Sequence, residues 1–195
     1  GWYSMLGQLG APIGFIIASV LFLYLTATLS SQDFLTWGWR YPFFVAFAIN
    51  VVALFARLRL VVTEEYTKLM EEGELQPLRT RDMVRAQGYN IFIGAFAALA
   101  SYALFHLVTV FPLSWIVLGG TQSIQDVLTI QIYGAVLGIF GTILSGWLAD
   151  HVGRRTTLGI MAVLIALFAV CAPWLLSGGT MGENTFILVG FALLG

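Results

Sequence analysis

At 195 residues the chain is 59% hydrophobic and 10% charged, whereas soluble domains carry roughly 45–50% apolar and about 25% charged residues. No soluble fold of this size hides that much apolar surface; the net charge of -1 says little, because the information is in where the charges lie, and no nucleic-acid partner is expected. The single cysteine, Cys171, excludes an internal disulfide or a multi-cysteine metal site, and its apolar surroundings suit a small packed hydrophobe.

The apolar residues come in blocks of about 20, the length that crosses a ~30 Å hydrocarbon core as a helix. The sequence predicts an all-α polytopic membrane protein in the lipid bilayer. The first span runs from about Met5 to Leu29 and the second from about Pro42 to Val62. A polar stretch from Thr63 to Gly88 follows, its acidic cluster Glu64, Glu65, Glu71, Glu72 and Glu74 interleaved with Lys68, which reads as a solvated connector helix. The third span covers about Tyr89–Ile116, the fourth Val127–Ala149 and the fifth Thr157–Leu176. A sixth starts near Thr185 and stops at Gly195. Five complete spans and a truncated sixth, with no initiating methionine, suggest a piece of a longer chain whose remainder is a necessary partner.

Orientation follows from where Lys and Arg lie. Arg57, Arg59, Lys68, Arg79, Arg81 and Arg85 surround the long polar stretch, and Arg154 and Arg155 fill the gap after the fourth span. Spans alternate, so both groups fall on one face, the cytoplasmic one. Arg40 alone lies opposite, among Trp37, Trp39 and Tyr41, as a snorkelling arginine in an aromatic belt. Cysteine-accessibility labelling at Glu72 and at Ser123 is therefore expected to report opposite sides. Equal labelling from one side contradicts the topology.

Small residues recur at three- and four-residue steps in two spans: Gly7, Gly10, Gly14 and Ala18 in the first, Gly134, Gly138, Gly141 and Ser145 in the fourth. Such stripes permit close helix packing in lipid, and the two are expected to face each other or another close neighbour. Polar groups inside spans are candidates for a transport path, because such groups face the bundle interior. His106 either couples to protons through an imidazole that titrates near neutral pH or hydrogen-bonds across helices. Ser101, Tyr102, Gln131 and Tyr133 are further candidates.

The pattern Gly146-x-Leu148-Ala149-Asp150-x-x-Gly153-Arg154-Arg155 resembles the signature loop of the major facilitator superfamily, with His151 where that family usually has Arg or Lys. The stretches "GWYSMLGQLGAPIG", "WGWRYPF" and "RLRLVVTEEY" resemble the metabolite:proton symporter family within it, although Val62–Tyr66 lacks that family's proline. The resemblance implies a major facilitator fold and helices five to ten. Residues 1–62 are then the last two helices of the N-terminal half, 63–88 the central cytoplasmic loop and 89–195 the start of the C-terminal half.

It also implies a secondary transporter of a small-molecule substrate, an organic acid or a betaine- or proline-like zwitterion, with protons as co-substrate, in the bacterial inner membrane. Sugar carriers are the alternative within the superfamily, and a non-transporting receptor or scaffold is the alternative outside it. No catalytic constellation, cofactor motif or metal-ligand spacing is present, so an enzyme is not expected. The loop has two physical readings. Either Asp150 meets the N-terminal turn of the first span, around Trp2 to Leu6, and clamps the cytoplasmic side, or Arg154 and Arg155 only set topology while Asp150 is solvated.

Overall fold

The computed structural model describes residues 6–60 and 80–195, all helices and short turns in that part. In chain order these are α1 (Gly10–Thr28), α2 (Ser31–Thr36), a 3-10 turn at Gly38–Arg40, α3 (Tyr41–Leu60), α4 (Thr80–Thr109), α5 (Phe111–Gly119), α6 (Ile124–His151), α7 (Arg154–Ser177) and α8 (Gly179–Leu194). Among the described residues five stretches are long and apolar enough to cross a membrane, including Leu6–Thr28, Gly38–Arg59 and Ile124–His151. The chain is thus an all-α polytopic membrane protein. The acidic connector expected around Glu64–Glu74 lies outside the described residues.

The helix ends follow local chemistry. Ser123 caps α6: its Oγ accepts from the Asp126 amide at 3.2 Å and donates to Asp126 Oδ2 at 2.6 Å, which satisfies one of the free N–H groups of the first turn. Ser30 and Asp33 repeat the arrangement at α2. The expected third span is not one helix. It ends at Thr109 and restarts at Phe111, where Pro112 occupies the first turn of α5, a position that tolerates the missing N–H. Its start also differs: α4 begins at Thr80, inside the expected polar loop, with non-helical angles at Gln87 (φ -128, ψ 21).

The Arg40 guanidinium sits 4.6 Å from the Trp39 ring centroid, and Trp37 and Trp39 pair edgewise with Tyr41 and Phe43. Cys171, expected to be packed, is exposed on α7. Its helix turns Phe168 inward instead, stacked on Phe186 of α8 at 4.9 Å.

The last helix differs most from expectation. It begins at Gly179 rather than near Thr185, and α8 is the element around which α4, α6 and α7 assemble. Gly190 seats Val108 of α4, so that a Cβ there would lie 2.9 Å from Val108 Cγ2. Phe191 meets Phe15 of α1, ring centroids 5.1 Å apart. The buried core is accordingly Val108, Ile116, Val127, Ala135, Phe168, Phe186, Ile187 and Phe191, drawn from α4 to α8. By contrast α3 is mostly exposed beyond the buried Pro42, with Phe43, Phe44, Phe47 and Phe55 turned outward.

The two glycine stripes do not face each other. On α6, Gly134, Gly138 and Gly141 are filled by α8: Cβ atoms there would lie 2.8 Å from the Phe191 ring, 3.1 Å from Phe191 O and 2.6 Å from Ala192 O. Ser145 extends the stripe by donating to Gly195 O at 2.9 Å. At Gly10 and Gly14 of α1, and at Gly7 before it, no atom of the described residues comes within 4 Å of a built Cβ. The helix still packs on α6, but through its other face, where Ser19 and Leu25 are buried and Thr26 O accepts from Gln125 Nε2 at 3.2 Å. The physical reason is that a groove of small residues admits one close neighbour. In α6 that groove is already occupied by α8.

Candidate functional site

The connection between α6 and α7 is only Val152 and Gly153. Asp150 and His151 therefore belong to the last turn of α6, and Arg154 and Arg155 to the first turn of α7. The turn depends on Gly153, whose φ of 96° lies where L side chains are strained. It is fastened on the far side by Thr157, buried, whose Oγ1 donates to Gly153 O at 3.0 Å. Val152 N closes α6 on Leu148 O at 2.8 Å. Gly146 is half-buried within the body of α6.

This placement sets every charge against its own helix. A carboxylate at a helix C-terminus and guanidinium groups at a helix N-terminus each oppose the macrodipole, at about 0.3–1 kcal/mol apiece. Local stability therefore does not account for Asp150, Arg154 or Arg155. All three are exposed, and no hydrogen bond or ion pair engages them among the described residues. The expected docking partner of Asp150, the turn around Trp2 to Leu6, lies almost wholly outside the described residues. His151 stacks on Trp147 with centroids 4.4 Å apart, its Nδ1 2.8 Å from Trp147 O.

The candidate path residues do not converge. Gln131 is 1% exposed, and its Nε2 donates to Thr109 O at 2.6 Å. It thereby satisfies a carbonyl left free where α4 breaks, which is a packing duty. Tyr133, 62% exposed, lies on the opposite side of α6. On α4, His106, Ser101 and Tyr102 are exposed, while Val108 and Thr109 form the buried side. His106 meets only the Phe105 ring edge among the described contacts, at 5.9 Å. A cleft between α1, α2 and the start of α6 is lined by Thr26, Phe34, Ile124 and Gln125, and none of the candidates borders it.

One buried ionisable residue escaped the sequence reading. Glu183, in the segment read as a connection, is 2% exposed on α8. The signal available was a lone acid beside a predicted apolar span, which hydropathy assigns to a loop.

The Major Facilitator Superfamily profile matches residues 1–195. The chain belongs to the Major Facilitator Superfamily. Among curated proteins it is similar to the inner membrane metabolite transport protein YhjE of Escherichia coli, 31% identical over 99% of this chain and 45% of that protein. It is also 29% identical to the alpha-ketoglutarate permease of the same organism, over 100% of this chain and 44% of the permease. To the proline/betaine transporter of Salmonella typhimurium it is 22% identical, over 84% of this chain and 34% of the transporter. The chain thus spans about half the length, or less, of these curated relatives. No solved structure matches it significantly.

Proposed function

We propose that the full-length facilitator is a secondary active transporter of the bacterial inner membrane. It moves a small polar metabolite, an organic acid or a betaine- or proline-like zwitterion, by proton symport and alternating access. In this reading the chain holds helices five to ten, with 1–62 closing the N-terminal half, 63–88 linking the halves and 89–195 opening the C-terminal half. The relatives named for metabolite, alpha-ketoglutarate and proline/betaine transport support the substrate class.

The observation that carries the reading is the reversed charge pattern of the two-residue turn. Asp150, Arg154 and Arg155 are held at some local cost in exposed positions without partners among the described residues, as suits contacts that form in one state of a cycle and break in another. We assign Asp150 to the N-terminal turn of the first helix, where free N–H groups stabilise its charge while the cytoplasmic side is closed. His106, Ser101, Tyr102 and Tyr133 are exposed toward whatever lies across from α4 and α6, which suits a cavity shared with the remainder of the chain. Substrate-elicited proton entry into liposomes carrying the full-length protein tests the proposal. Substrate-independent proton flux, or none, counts against it.

A further inference from the structure

The segment Ser177–Asn184 reads as a polar loop, yet from Gly179 onward the backbone makes it the start of a packed helix. Gly179, with φ of 71°, reverses the chain after α7, and Gly182 lies against the Leu175 carbonyl too closely for any side chain. The reversal turns Glu183 inward, onto the helix face that also carries Phe186 and Ile187 one turn later. Its carboxylate is held by the link between α5 and α6. The Thr121 hydroxyl is shared between Oε1 at 2.9 Å and Oε2 at 3.0 Å, and Gln122 Nε2 donates to Oε2 at 2.7 Å.

Both donors are neutral, and no ion pair engages Glu183 among the described residues. Among the described residues the elements packed on α8 bring no titratable group to it. On α4, Arg85, Tyr89, Tyr102 and His106 are exposed; on α6, Asp126, Tyr133, Asp150 and His151 are exposed; on α7, Arg154, Arg155 and Cys171 are exposed; and α1 has only the exposed Tyr24. The link and α5 carry none. One residue along, Asn184 Oδ1 is buried without a hydrogen-bond partner. The site is nonetheless not sealed, since Thr121 is exposed, at the end of the bundle that the loop charges assign to the non-cytoplasmic side.

We propose that Glu183 is a proton-binding site of the carrier, reached from the non-cytoplasmic side past Thr121, and that protonation loosens α8 from the α5–α6 link. The chemistry is the exchange of one state for another. As an anion the carboxylate only accepts, and it gathers Thr121 and Gln122 onto α8; once protonated it becomes a donor and gives up part of that acceptor capacity. An ionisable side chain inside a membrane bundle, bonded to a different element and lacking a counter-ion, has the makings of such a switch. The proposal deepens the proton-symport reading and rests on it.

The test needs no substrate. Spin labels are placed at Leu118 and Met181, 87% and 85% exposed, through cysteine substitutions in full-length protein carrying Cys171→Ala, and the protein is reconstituted in liposomes. Between pH 8.5 and pH 4.5 the inter-label distance distribution of the parent protein is expected to lengthen in one titration. E183Q is expected to show the acid distribution at every pH. Gln122→Leu keeps the charge but removes one donor to the anion. It is expected to retain the transition with its midpoint moved to higher pH, since the anion loses a donor, and it serves should E183Q not fold. A pH-independent parent protein, an E183Q protein that titrates like the parent, or an unmoved Gln122→Leu midpoint each overturns the proposal. A normal label titration alongside absent metabolite uptake leaves Glu183 as a proton site and removes the transport reading instead.

Discussion

Gly141→Ala is expected to destabilise the chain by about 1–3 kcal/mol, the range for adding volume to a filled interface. The added Cβ would lie 2.6 Å from Ala192 O. A backbone carbonyl cannot swing aside as a side chain does, so α6 and α8 must separate. Because α8 also seats Val108, Phe168 and Phe15, that shift spreads through the bundle. Gly159→Ala on α7 makes the same chemical change where nothing stands within 4 Å among the described residues. The measurement is the thermal transition of detergent-solubilised full-length protein. At roughly 2–4 °C per kcal/mol, Gly141→Ala should lower the transition by several degrees while Gly159→Ala leaves it near its original value. Equal transitions would show that α8 does not fill the α6 groove.

Asp150→Asn is expected to separate function from stability. The carboxylate opposes the dipole of its own helix, so removing its charge should leave the thermal transition unchanged or raise it slightly. Its proposed contact with a neighbouring helix N-terminus is a charge-assisted one, worth about 1.5–3 kcal/mol. Losing it biases the carrier away from the cytoplasm-closed state, so turnover should fall by about tenfold or more while substrate affinity changes little. Uptake rates at saturating substrate, read beside a binding isotherm and a melting curve, check this. A variant that melts early and binds poorly would mark Asp150 as merely structural.

Much of the fold is legible in the sequence because lipid imposes a coarse rule: apolar blocks of sufficient length become helices. The signature loop was legible too, since its charges interrupt that rule at fixed spacing. What hydropathy does not register is tertiary choice. Gly179, Thr180, Glu183 and Asn184 look like loop residues, yet packing against α7 and hydrogen bonds to Thr121 and Gln122 carry the helix through them. The break before Phe111 left a signal, Pro112, but a proline within an apolar run does not reveal whether the helix bends or restarts. Glycine spacing marked Gly134, Gly138 and Gly141 as a close-packing face, but the stripe of the first span that it suggested as partner is not what fills it. Gln131 shows the same limit: its polarity suggests a cavity, and only the free carbonyl of Thr109 shows it closing a helix end.

Coupled transport shows itself as proton movement elicited by substrate. Full-length protein is reconstituted into liposomes that enclose a pH-sensitive dye, and proline, glycine betaine and alpha-ketoglutarate are added in turn, with a hexose as the comparison. The account predicts that at least one of the first three acidifies the lumen, that an imposed inward proton gradient drives its accumulation, and that the hexose does neither. Accumulation of the hexose, or uptake of a metabolite that neither moves protons nor responds to their gradient, would contradict it.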